Sequence, residues 1–369
     1  MSNADFIYID TNAQLAEIAE QCSDAPLLAL DTEFQRETTF YPIAGLIQLG
    51  DGKRQYLIDP LTIDDWAPLQ SLLNNSAYKL LHACSEDLEV FSRLCDALPQ
   101  PMLDSQIGAA LAGFGFSLSY QALVKACLNI DVEKEQTRSD WLRRPLSGEQ
   151  CHYAALDVAY LPAVFDIIAE RLHAKNRFDW WLQEGASTLA ASRDAIAPEN
   201  YYLKLSAGWR LRGTQIAALR ELCRWREGEA RRRNVPRGRV LKDAQCLDIA
   251  RLLPSSPVEL AAVPELHPQQ QRIDGANILG IIELAQQIPA SDCPAPLAPP
   301  LRRELGDRLK QLRQLVEQRA RELDIPAELL ARKRDCELLL RTGELSETLR
   351  GWRLPIIGES LLALHRQIA

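Results

Sequence analysis

Near residue 172 the hydrophobic period of this chain changes, and no single fold class accommodates both sides of the change. Before it, short β-rich apolar runs at Phe6–Ile9, Leu27–Asp31, Leu46–Leu49, Gln55–Ile58 and Lys79–His82 alternate with stretches of helical spacing around 12–22, 65–74, 86–96, 105–112, 119–128 and 148–170. Such alternation builds an α/β domain. Gly50-Asp51-Gly52 is a hairpin signal between two of the runs, so the sheet is expected to be mixed. Ser147 and Gln150 stand at capping-box spacing at the start of the last helical stretch. After residue 172 strand signals vanish, and Leu, Ala, Arg and Glu at helical spacing carry an all-α half to the end.

The helical half contains a repeat. Moving Leu219–Arg251 by 90 positions lays it without a gap on Leu309–Arg341, with Leu219/Leu309, Leu222/Leu312, Ala230/Ala320, Pro236/Pro326, Cys246/Cys336 and Arg251/Arg341 in register. The coincident prolines point to a divergent duplication of a long helix, a turn and short helices. Between the copies, the Pro-rich stretch 290–300 cannot continue a helix and reads as a linker.

Charge is polarised along the chain. Residues 1–171 hold 25 acids against 11 bases, net −14, and the remainder holds 31 bases against 25 acids, net +6. An acidic front suits divalent cations and a basic rear suits phosphates. Nine scattered cysteines without a C-x-x-C pair signal neither a disulfide framework nor a zinc cluster, and reduced thiols are expected. No apolar run is expected to reach the roughly 20 residues of a membrane helix. The start, MSNADFIYIDTNAQ, lacks the pattern of a secretion signal. A soluble, cytoplasmic protein is the expectation.

Three short motifs carry chemistry. Asp31-Thr32-Glu33 ends an apolar run, and alternation along a strand puts both acids on one face, about 7 Å apart, as half a cage for a hard cation. In LLHACSEDLEVF a strand runs into a helix with Ser85 placed to cap it and Asp87 in its first turn. In CHYAALDVAYL, Tyr153 and Asp157 are i and i+4 and share a helix face. Each alone has an ordinary structural explanation. Together and in this order, with TRSDWLRRPLS before the third, they resemble the tyrosine subclass of the DEDD 3′→5′ exonuclease superfamily and, within it, the ribonuclease D family. In the rear half VPRGRVLKDAQCLDIA resembles the HRDC module.

The resemblance implies an α/β ribonuclease-H-like exonuclease domain with a mixed sheet over 1–172, a helical connector over 173–208, a first HRDC domain over 209–289, the linker and a second HRDC-like domain over 301–369. It implies hydrolysis at RNA 3′ ends, such as those of tRNA precursors, by a monomer that uses two divalent ions, Mg²⁺ or Mn²⁺, and no small-molecule cofactor. Asp31 would bridge the ions, Glu33 and Asp157 would complete one, Asp87 would hold the other through water, and Tyr153 would orient the attacking water. His152 also satisfies the histidine-subclass spacing, but it lies about 140° from Asp157 around the helix, against about 40° for Tyr153.

Further candidates are less bound to a motif. Asp104 is either a carboxylate near the metals or a helix N-cap. Phe34, Phe40 and Tyr41 could stack on the terminal base or pack in a core. Arg138, Arg143 and Arg144 could meet phosphates. Arg220–Lys242 holds nine bases against three acids, and Arg231, Arg232, Arg233 and Arg237 are its candidates for RNA backbone contacts. Two other functions fit part of the pattern. A DNA proofreading exonuclease would lack these helical modules, and a catalytically dead scaffold would have lost one of the five site residues.

Overall fold

The computed structural model describes residues 5–132, 139–193 and 197–368. They form two compact units, one of 1–35, 43–193 and 301–369, the other of 36–42 and 194–300.

The first unit is built on a six-stranded sheet of order β1-β4-β3-β2-β5-β6. Its strands are β1 Phe6–Ile9, β2 Leu27–Gln35, β3 Ile43–Gly50, β4 Gln55–Ile58, β5 Tyr78–Leu81 and β6 Met102–Asp104. β3 runs antiparallel to both neighbours while the remaining pairs are parallel, so the sheet is mixed as the Gly50–Gly52 turn required. β6 is absent from the runs that the period marks, because three residues are too few to show one, although Asp104 does stand at a strand end.

The helices interleaved with these strands are α1 Asn12–Gln21, α2 Ala67–Asn74, α3 Asp87–Cys95, α4 Ser105–Ala112, α5 Tyr120–Leu128, α6 Gly148–Ala159, α7 Leu161–Ala174 and α8 Phe178–Arg193. Ser147 and Gln150 form the expected capping box of α6. The single helix expected over 148–170 is two, because Pro162 enters the first turn of α7 and has no N–H to donate. Across both, one 18-residue window reaches a mean hydropathy of 1.3, so this stretch is more apolar than expected and matches a membrane helix by length and composition. Its apolar side serves packing instead. Ala154, Ala155, Val158, Val164, Ile168 and Leu172 are all buried against the sheet or neighbouring helices.

Two close approaches fix the layers. A Cβ on Gly185 of α8 would lie 1.9 Å from the Met102 carbonyl oxygen, so α8 crosses β6 at a distance only glycine permits. A Cβ on Gly45 of β3 would lie 2.7 Å from the Trp141 Cβ.

The repeat is real in three dimensions. In the second unit α9 Thr214–Arg233, α10 Arg237–Val240 and α11 Asp243–Leu252 follow one another. In the first unit α14 Gly306–Leu323, α15 Ala327–Leu330 and α16 Lys333–Thr342 do the same. The short helices correspond at an offset of 90, with Pro236 and Pro326 at matching N-caps and Asn234 and Asp324 both left-handed at the preceding C-caps. The first copy adds α12 Pro257–Ala261 and α13 Pro268–Gln286 and closes its own core around Leu219, Leu222, Ile249 and Ile278. The second adds α17 Glu359–Ile368, and its Leu312, Val316 and Leu339 share one core with Leu111, Leu123 and Trp181 of the sheet-bearing half. Residues 290–300 belong to the second unit, where Leu297 packs toward Gly208.

Candidate active site

Strand alternation sends Leu27, Ala29, Asp31 and Glu33 of β2 to one face and Leu28, Leu30 and Thr32 to the other. α6 lies on the first face, so its Tyr153 and Asp157 meet the two acids of β2 there. Ligand oxygens of Asp31, Glu33 and Asp157 all lie within 4.8 Å of one another.

Asp87 arrives from the other side. Position 85 was expected to cap α3, but Ala83 turns the chain at φ 56° and Glu86 takes the N-cap, leaving Ser85 without that role. Asp87 is then in the first helical turn, buried, and accepts a hydrogen bond from the Thr32 hydroxyl. The middle residue of D-T-E therefore couples the first motif to the second. Nothing in the motif as a string marked Thr32, although alternation alone places it on the Asp87 face.

All four acids are pushed toward the protonated state. Burial is the leading cause for each, lifting Asp87 to about 6, Asp157 to about 7 and Glu33 to about 8, with Asp157 and Asp87 adding repulsion at Glu33. Asp31 is raised well above the usual range by burial and then by Asp87, Asp157 and Glu33. Carboxylates collected in this way, with no cationic side chain among the causes, are a donor set that a hard divalent cation satisfies.

Tyr153 faces the acids. Its phenol is raised by burial and then by Asp157, Glu33 and Asp31, so it is neutral at ordinary pH. Trp141 sits beside it with ring centroids 6.2 Å apart. His152, its neighbour in sequence, has no described hydrogen bond or charge interaction with the site.

Several expected contacts find other employment. Asp104 is the N-cap of α4, accepting from Gln106 N at 2.8 Å and from Ala83 N at 3.1 Å. Arg144 does not reach outward for phosphate. Its Nε and one Nη each donate to Asp59 at 2.6 Å, and its remaining bonds go to the carbonyls of Gly45, Trp141 and Arg143 at 2.7–3.0 Å. That set fastens Trp141 over Gly45, and so fixes the wall behind Tyr153. Arg143 is exposed with no described partner for its guanidinium. Arg138 lies outside the described residues. Phe34 is half-buried one residue beyond Glu33, where the strand register shifts.

In the second unit Phe40 is buried, with Arg237 at 4.6 Å and Arg231 at 5.4 Å from its ring centroid, so core packing rather than base stacking occupies it. Tyr41 meets it edge-on at 4.8 Å. Arg231 and Arg237 both bind Glu227, and Arg233 binds Asp274 and Glu229. Of the four candidates Arg231, Arg232, Arg233 and Arg237, Arg232 alone keeps most of its side chain in solvent, 67%, beside Glu229.

A mixed sheet that gathers four acids and a tyrosine, joined to duplicated helical modules, defines a 3′–5′ exonuclease carrying HRDC architecture. Comparison agrees: a 3′–5′ exonuclease family model matches residues 6–173 and an HRDC domain model matches 215–282. Ribonuclease D of Pseudomonas paraeruginosa is 45% identical over 357 residues, 94% of this chain and 95% of its own length. Ribonuclease D of Escherichia coli K12 is 36% identical over 96% of both. The crystal structure of Escherichia coli RNase D, an exoribonuclease involved in structured RNA processing, superposes with a TM-score of 0.93 at 34% identity over 98% of this chain and 99% of that one. The catalytic core of RRP6 from Trypanosoma brucei shares the fold at 19% identity, with a TM-score of 0.57 over 78% of this chain and 83% of that one. The chain belongs to the ribonuclease D family and is a 3′→5′ exoribonuclease.

Proposed function

We propose that this exoribonuclease trims the 3′ ends of structured RNAs, tRNA precursors among them, one nucleoside 5′-monophosphate at a time, as a monomer. The observation that carries the mechanism is the convergence of Asp31, Glu33 and Asp157 within 4.8 Å, with Asp87 alongside and no cationic side chain among the causes that shift Asp31. Asp31, Glu33 and Asp157 would hold one divalent ion, and Asp31 with Asp87 a second, Mg²⁺ or Mn²⁺. Bound there, such ions supply an activated water and stabilise the leaving 3′ oxygen.

The chain's own residues supply orientation. Tyr153, kept protonated by burial and by the neighbouring acids, holds the attacking water by a hydrogen bond and does not abstract its proton. Trp141 and the Arg144–Asp59 pair behind it hold the phenol at its angle. Phe34, half-buried beside Glu33, would meet the terminal base, and exposed Arg143 would meet a phosphate.

The test is 3′-labelled and 5′-labelled RNA, with matched DNA, in Mg²⁺ or Mn²⁺. The expected result is stepwise loss of 5′-monophosphates from RNA, abolished in Asp31→Ala. Trimming that continues unchanged in Asp31→Ala would sink the site assignment, and equal degradation of DNA would sink the substrate class.

A further inference from the structure

Gln48 of β3 is 0% exposed, yet neither Nε2 nor Oε1 of its amide meets a hydrogen-bond partner among the described residues. A buried polar group left so is destabilising, and in native proteins it calls for an explanation. Its surroundings offer no structural one. The layer over this face is apolar, made by Leu46, Leu57, Cys151, Ala154 and Ala155, where methionine or leucine would pack as well. Register supplies the explanation. Gln48 stands directly opposite Asp31 in the antiparallel β2–β3 pair. Opposed residues project to one face with Cβ atoms about 4.5–5.5 Å apart, within reach of a glutamine amide. Trp141, in the same layer, carries a third orphaned atom, its Nε1, so three of the five such atoms among the described residues fall on this side of the site.

We propose that Gln48 is a positioning residue of the carboxylate site. Its Nε2 donates to the Asp31 carboxylate, directly or through one enclosed water, when Asp31 engages a divalent cation, and so selects which oxygen faces the ion. Hydrogen bonds behind a ligand carboxylate orient it and tune affinity. Fully buried, Gln48 has no route to RNA itself. The inference rests on the reading of Asp31 as a ligand.

The test uses the full chain and Mn²⁺ alone as probe, followed by calorimetric titration without RNA. It is paired with the Tm of the metal-free protein and with kcat and KM on a short RNA. Gln48→Met keeps length and removes the amide. The expected result is a metal-free Tm equal to or above the parent's and Mn²⁺ affinity weakened about 10–100-fold. kcat should recover as Mn²⁺ is raised, while KM for RNA stays within about twofold. Leu57→Met, opposite Gln48 on β4, changes packing in the same layer and should leave Mn²⁺ affinity unchanged. Parent-like affinity in Gln48→Met overturns the proposal, and so does an equal loss in Leu57→Met. Loss of the metal-free fold in both Gln48→Met and Gln48→Leu also overturns it, because the amide would then be structural. Asp31→Asn in the same titration reports on the underlying reading: if it binds Mn²⁺ like the parent, the ligand assignment fails whatever Gln48 does.

Discussion

The acids around Asp31 and the arginines around Glu227 are both clusters of buried charge, and they are resolved in opposite ways. Around Asp31, burial and repulsion from Asp87, Asp157 and Glu33 raise its proton affinity, Asp157 and Asp87 do the same to Glu33, and no cationic side chain is among the causes. Around Glu227, which is 0% exposed, Arg231 at 2.8 Å and Arg237 at 2.5 Å supply the opposite charge, Tyr201 accepts from Arg237 at 2.6 Å, and Phe40 lies under both guanidinium groups. A paired buried charge specifies architecture, whereas an unpaired cluster stores free energy that a ligand can release. Density of charge alone does not distinguish the two.

Neutralising one member of each cluster should therefore act in opposite directions on stability. Asp31→Asn removes the charge that Asp87, Asp157 and Glu33 repel most. Single-turnover assays should show activity lost by about 10³-fold or more, while calorimetry in chelator shows a higher Tm than the parent. A fall in both would mean that Asp31 is structural. Glu227→Gln leaves Arg231 and Arg237 facing each other across a buried site, and should cost about 3–5 kcal/mol in denaturant unfolding of the second unit. Turnover of a short RNA per folded molecule should hold. An undiminished midpoint would break the comparison on its structural side.

The two clusters were also unequally legible. Asp31 and Glu33 share a face by strand alternation, and Tyr153 and Asp157 by helical spacing, so local periodicity was enough to place four of the five site residues in pairs. Gln48 needs sheet register, which no local pattern supplies, Thr32 needs the packing of α3 on its face of β2, and the cap at Glu86 in place of Ser85 follows from a left-handed turn at Ala83. The internal pairing of the arginine run is hidden from the sequence for the same reason. Counting nine bases against three acids treats neutralisation as local, yet Arg233 is paired with Asp274, 41 residues on, and Lys242 with Glu265, 23 residues on. Arg144 is the clearest case: its partner Asp59 is 85 residues away.

Within the acidic cluster the roles can be separated by size of effect. Tyr153→Phe should lower kcat about 100-fold with KM for RNA nearly unchanged, and His152→Ala should leave both near the parent values. The reverse order would move the site to the histidine subclass. A weaker effect concerns pH. Asp87, Asp157 and Glu33 are raised to about 6, 7 and 8, from ordinary values near 4. The metal-free fold thus holds protons that the unfolded chain has already released. Their contribution to stability is full below about pH 4 and is lost as pH rises through 6 to 8. Tm in chelator should fall across that window, and the gain in Tm from added Mg²⁺ should grow across it. A gain independent of pH would mean the ions bind elsewhere.

The smallest effect tests where the balanced cluster still has charge to spare. Arg231, Arg233 and Arg237 are committed to Glu227, Glu229 and Asp274, whereas Arg232 is mostly solvated. An exposed ion pair such as Arg232 with Glu229 is worth about 0.2–1 kcal/mol, so Arg232→Ala should barely change unfolding. If the second unit meets RNA through this run, Arg232→Ala should lower the slope of log affinity against log salt by about 0.7 for a single strand, without altering sequence preference. Arg233→Ala should instead lower stability through the loss at Asp274. An unchanged salt slope in Arg232→Ala, with a reduced slope in a stably folded Arg233→Ala, would show that the internal pairs open on binding, and that the two clusters differ less in kind than their resting geometry indicates.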